Sequence, residues 1–121
     1  MKVKCIKLLD AFGKQQDKSP WLTIGKIYHV LSIQLSSEQN WKLLLMGDGL
    51  NGVALFRLEQ FEVMTPKIPP TWVVAWSKNG SFYLRPEHWN QPSFLERYYD
   101  KDPEAIRIFE EERRKIIEAD P

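Results

Sequence analysis

Cysteine occurs once in this chain, at Cys5. A lone thiol excludes an internal disulfide framework and fits a reducing compartment. Histidine occurs twice, at His29 and His88, and neither has a second His or a Cys at metal-ligand spacing. No apolar run approaches the roughly 20 residues that span a bilayer, and no secretory apolar segment stands at the start, so a cytoplasmic protein is expected. Glycine-rich phosphate loops, nucleophile elbows and zinc motifs are missing too. Neither sign of charge dominates: 17 Lys and Arg face 16 Asp and Glu, a net charge of +1. Bulk electrostatics therefore argue against a dedicated nucleic-acid binder. These absences together point to a protein that is not an enzyme and uses no cofactor or metal.

What is present is a β pattern. At 121 residues, 43% hydrophobic and 12% aromatic, the chain is one ordinary domain with enough apolar surface for a core. Residues 22–63 hold runs of β-branched and aromatic residues separated by Gly, Asn and Asp, the signature of short antiparallel strands. Strands are expected over 3–9, 26–34, 41–46, 53–56 and 61–64, with a helical turn at 57–60. A long loop fills 10–20. The Asp-Gly and Asn-Gly pairs of residues 47–52 favour positive φ and read as a hairpin connection. Several strands in so short a stretch suggest a small barrel over residues 1–64. Three prolines in residues 65–70 make a stiff connector. Beyond it, residues 71–77 and 81–84 form a second hairpin, with Trp72, Val74 and Trp76 on one face. A short helix follows Ser93, where Glu96 completes a capping-box pattern. Asp102-Pro103-Glu104 then starts the last helix. Ala105, Phe109 and Ile116 form its apolar stripe, while Glu110, Glu111, Arg114 and Lys115 lie opposite. The expected fold is mainly β (α+β), a single domain of residues 1–121 with an added β-hairpin and a C-terminal α-helix.

Candidate sites follow from chemistry. His29 sits mid-strand among Ile27, Leu31 and Ile33, where packing is the commoner role. His88, beside Glu87 and Trp89 in an irregular stretch, is the better functional candidate, and Cys5 reads as a small core residue. Aromatic residues crowd the second half: Trp72, Trp76, Phe82, Tyr83, Trp89, Phe94, Tyr98 and Tyr99. Most would weld hairpin and helix to the barrel, and a subset would stay exposed as binding anchors. Tyr98 and Tyr99 cannot both face inward. Charge is divided: residues 1–84 carry ten Lys and Arg against six Asp and Glu, and residues 85–121 carry seven against ten. The helical acids are either a solvated face or a docking surface for a basic partner.

Val3-Lys4-Cys5, the Leu22-Thr23-Ile24-Gly25-Lys26-Ile27-Tyr28-His29-Val30 stretch, the Gly47-Asp48-Gly49 turn and Phe61-Glu62-Val63 resemble small SH3-like barrel proteins of bacteria and phages. That resemblance implies an SH3-like antiparallel β-barrel with Tyr28 and Val30 inward and His29 outward. The section from Trp72-Val73-Val74 through Pro86 and Trp89 to Phe94, Tyr98, Asp100 and Asp102-Pro103-Glu104-Ala105 resembles bacterial immunity proteins, including those of contact-dependent growth inhibition. It implies a protein without catalysis that binds and blocks one cognate toxin, and an acidic inhibitor surface would suit a nuclease; by itself the chain is expected to be a monomer. The partner-binding residues expected are Glu87, His88, Trp89, Tyr98, Asp100, Glu104, Glu110 and Glu111. The alternative is a phage or prophage regulatory barrel that binds nucleic acid or a host protein.

Overall fold

The computed structural model describes residues 1–38, 40–49 and 52–121. Eight strands lie among them: β1 (Lys2–Cys5), β2 (Ile27–His29), β3 (Ser32–Leu35), β4 (Trp41–Met46), β5 (Val53–Arg57), β6 (Phe61–Thr65), β7 (Trp72–Trp76) and β8 (Phe82–Pro86). Two helices follow, α1 (Phe94–Tyr99) and α2 (Pro103–Ala119). Short 3-10 helices at Leu58–Gln60 and Glu87–Asn90 link β5 to β6 and β8 to α1. The strands make two antiparallel sheets, β2-β1-β6 and β5-β4-β3-β8-β7. The fold is mainly β with a C-terminal helix, as expected.

One expected strand is two. The run 26–34 breaks at Val30 and Leu31, both buried, so β2 joins one sheet and β3 the other. Leu31 N–H still donates to the Leu44 carbonyl at 2.8 Å across that break. Apolar alternation cannot show where a chain changes sheets, because both halves bury the same kind of side chain. Tyr28 and Val30 do point inward, and His29 is half-buried with Nε2 2.8 Å from the Asp120 carbonyl. Cys5 is fully buried. The Asp-Gly half of the 47–52 turn is described, whereas Leu50 and Asn51 lie outside the described residues.

Asp48 fastens the loop ahead of β2 to the end of β4. Its carboxylate accepts from Lys26 at 2.6 Å, Thr23 at 2.7 Å and the Tyr28 hydroxyl at 3.0 Å. Burial alone would raise its pKa, but those three donors outweigh it and hold the carboxyl below its ordinary value. A depressed folded-state pKa stabilises the protein in full above the unfolded value and loses that contribution as pH falls through the folded one. Asp48→Asn should therefore lower the urea midpoint at pH 7, by about 1–3 kcal/mol in stability. The gap between variant and parent should narrow on acidification below about pH 4. Midpoints measured from pH 7 to pH 3 check both; a gap that widens on acidification contradicts this assignment.

The C-terminal section packs through a column of rings. Trp89 lies parallel to Phe109 with centroids 4.7 Å apart, Phe94 stacks on Trp89 at 6.1 Å, and Tyr98 stacks on Phe109 at 4.2 Å. Ala105, Phe109 and Ile116 form the buried stripe of α2, but Glu112 lies on that stripe as well. Its neighbours Glu110 and Glu111 are exposed. Ser93 precedes α1 at a φ of 55° and makes no side-chain cap, so the capping-box pattern is not used. Asp102 instead spends its carboxylate on Arg97, at 2.8 and 2.6 Å.

Candidate binding surface

Strand register places two rows of apolar side chains on one face of the five-stranded sheet. Trp76, Phe82, Leu35 and Trp41 stand directly opposite one another across β7, β8, β3 and β4. Val74, Leu84, Ile33 and Leu43 form the next row. A third row, Trp72 and Pro86, is buried. The middle row opens from Leu43 at 1% to Val74 at 57% at the β7 edge, and the outer row is open throughout its rings: Trp41 47%, Phe82 51% and Trp76 71%. Between the rows runs an apolar groove of about 430 Å³ lined by Ile33, Leu35, Trp41, Val74, Phe82, Tyr83 and Leu84.

The opposite face of the same strands carries one polar row, next to which Leu44, 1% exposed, and Leu55 stand. Ala75, Tyr83, Gln34, Lys42 and Arg57 align across it, and Arg85 lies over the Tyr83 ring at 4.1 Å. An antiparallel sheet with one apolar and one polar face ordinarily covers the apolar one. Here the core covers it at the base and leaves the tip open. Partly exposed rings of this size present on the order of 400 Å² of apolar surface, within the range of patches that mark interaction sites.

The eight residues expected from the sequence are not brought into one surface. Trp89 is 2% exposed between Phe94 and Phe109, so it is a core ring. This corrects its place among the contact residues. The apolar body of an indole gains more from the stack than from a loop surface. Glu87 and His88 are exposed on the 3-10 helix, and His88 Nδ1 lies 2.9 Å from Glu112 Oε1. Glu112 itself is 3% exposed, with Lys115 at 3.4 Å. Its Oε2, the Trp72 and Trp89 indole nitrogens and the Thr71 hydroxyl have no hydrogen-bond partner among the described residues. His88 is thus tethered to α2 by a buried carboxylate, and the spacing of positions 105, 109, 112 and 116 is the signal that sets Glu112 on the apolar stripe.

The helical acids all have basic partners on their own helix face. Glu104 and Glu111 both pair with Arg107, Glu110 with Arg113, and Glu118 with Arg114. Arg107 draws the Glu104 carboxyl below its usual range, chiefly by their hydrogen bond. The helix face is a lattice of alternating charge rather than an anionic stripe. Tyr98 is half-buried on Phe109, whereas Tyr99 is exposed and donates to the Val53 carbonyl at 2.9 Å. Asp100 is exposed just beyond α1.

Among the described residues, no cluster of three or more His, Cys, Asp or Glu is placed to hold a metal, and no helix is long and apolar enough to cross a membrane. No protein-family model, curated protein or solved structure matches the chain.

Proposed function

We propose that this is a non-catalytic immunity protein that binds and neutralises a cognate toxin, and that the open apolar face of the five-stranded sheet makes the contact. The observation that carries the binding reading is the uncovered tip, where Trp41, Trp76 and Phe82 stand exposed over an apolar groove. Tryptophan and other aromatic anchors in a desolvated groove dominate protein interfaces. The toxin as partner rests on the immunity-like pattern from Trp72 to Ala105. In this reading residues 1–64 form an SH3-like barrel to which the β7–β8 hairpin adds the binding platform, supported by the pairing of β8 with β3. The helical acids, already neutralised, contribute little to encounter.

The test is protection. Cells expressing the toxin domain encoded beside this gene should survive when the chain is co-expressed, and the two proteins should co-purify. Survival should fail with a Trp41→Ala, Phe82→Ala double variant that still folds. Absence of protection by the parent protein contradicts the immunity reading.

A regulatory barrel for nucleic acid is favoured by one observation, the row that carries Lys42 and Arg57 with Arg85 beside it, where Arg57 is shared with Glu59 at 2.9 Å. It predicts DNA or RNA binding that weakens steeply with salt and survives loss of Trp41 and Phe82.

A further inference from the structure

We propose that β7 is the seam of a homodimer, in which two copies of Trp72–Trp76 pair antiparallel about a two-fold axis at Val74. This departs from the monomer expected from sequence and does not depend on the toxin reading.

The argument begins with hydrogen-bond parity. β7 is an edge of the five-stranded sheet. Ser77 N–H donates to the Ser81 carbonyl at 3.0 Å, and Glu87 N–H to the Thr71 carbonyl at 3.3 Å. Backbone groups of alternate residues point the same way in an antiparallel ladder, so those of Val73 and Ala75 also face β8. Those of Trp72, Val74 and Trp76 therefore face outward. The Trp72 N–H is taken by the Pro69 carbonyl at 3.1 Å. The outward N–H and C=O groups of Val74 and Trp76 have no partner among the described residues.

Edge strands are usually blunted by charge, proline, a bulge or a cover. Trp72-Val73-Val74-Ala75-Trp76 contains no charge and no proline, and its pairing with β8 is unbroken. The other edge of the sheet, β5, is treated differently: it ends in Arg57, and the Tyr99 hydroxyl occupies the Val53 carbonyl. Among the described residues, β7 is thus the edge of this sheet without a charged side chain.

A second copy fits that edge because the strand is close to a chemical palindrome. A two-fold interface must be complementary to itself. Centred on Val74, the pairing sets Val74 against its own image, Trp72 against Trp76, and Val73 against Ala75. The two Val74 residues would exchange both backbone hydrogen bonds, and each Trp76 N–H would reach the Trp72 carbonyl opposite. Charge is compatible: Lys78 falls opposite Pro70, so no like charges meet. The axis is normal to the sheet, so the apolar faces of both copies lie on one side and stay open to a partner. A single strand pair buries less than the ~800 Å² per subunit of a standard interface, so micromolar self-association is expected.

Sedimentation equilibrium of the full chain should show a monomer–dimer equilibrium between about 1 and about 300 µM. Val74→Pro removes only an outward donor, and Val74→Lys sets like charges across the axis; each should weaken the dimer at least tenfold. Val74→Lys is the check should the proline variant fail to fold. Mixing Val74→Lys with Val74→Glu should restore association, and Trp41→Ala should leave it intact. A parent protein that stays monomeric throughout overturns the proposal. So does a dimer that survives Val74→Lys, or one lost on Trp41→Ala, which would mean pairing through the face rather than the edge.

Discussion

Phe109→Ala is expected to lower stability by roughly 3–5 kcal/mol, the range for truncating a buried phenylalanine. The Phe109 ring is fully buried between Trp89 and Tyr98. Its removal leaves a gap that neither neighbour can fill without abandoning a stacked geometry worth about 0.5–1.5 kcal/mol per pair. It also loosens α2 from both elements it packs against, α1 and the 3-10 helix Glu87–Asn90. Glu111→Ala, on the exposed face, removes one arm of the Arg107 pairing and should change stability by no more than about 0.5 kcal/mol. Chemical denaturation of both variants checks this; equal midpoints would show that the helix does not dock through the ring column.

Loss of the exposed rings is expected to act on binding with little effect on folding. Trp41→Ala and Phe82→Ala should each weaken the proposed toxin complex by tenfold or more, chiefly through faster dissociation. The two rings stand in one register row, separated only by Leu35, so their effects should not add simply. Stability should change by far less than in Phe109→Ala, because each ring is about half exposed in the free protein. Reversal of Glu110 and Glu111 is the contrasting variant. Those carboxylates are already paired with Arg113 and Arg107, so the association rate should barely change. Stopped-flow kinetics separates the two outcomes, and a large rate effect of the acid reversal with none from the rings would assign the contact to the helix.

Local signals in the sequence were sufficient for most elements. Asp102-Pro103 marked the start of α2, and the stripe of Ala105, Phe109 and Ile116 marked its buried face. The lysine-asparagine-glycine turn marked the β7–β8 hairpin. What local signals cannot supply is which distant strands become neighbours. Nothing in the residues of β8 states that Phe82 will lie beside Leu35, so Trp72, Val74 and Trp76 read equally well as a core seam. Once β8 pairs with β3, the same face carries Trp41 and runs past the edge of the core. Glu112 is a different case: a glutamate among glutamates reads as solvated, although its spacing from Phe109 and Ile116 sets it on the buried stripe. Counting acids alone also passes over the arginines set three and four residues away, which pair with them.

The central claim is that an apolar sheet face, and not the acidic helix, carries the protein's binding function. Isothermal titration of the toxin domain with the parent chain and with the Trp41→Ala, Phe82→Ala variant, each verified as folded, tests it most directly. Sub-micromolar binding by the parent, lost in the double variant and retained on reversal of Glu110 and Glu111, is the predicted result. Undiminished binding by the double variant, or none by the parent at micromolar concentration, would contradict it.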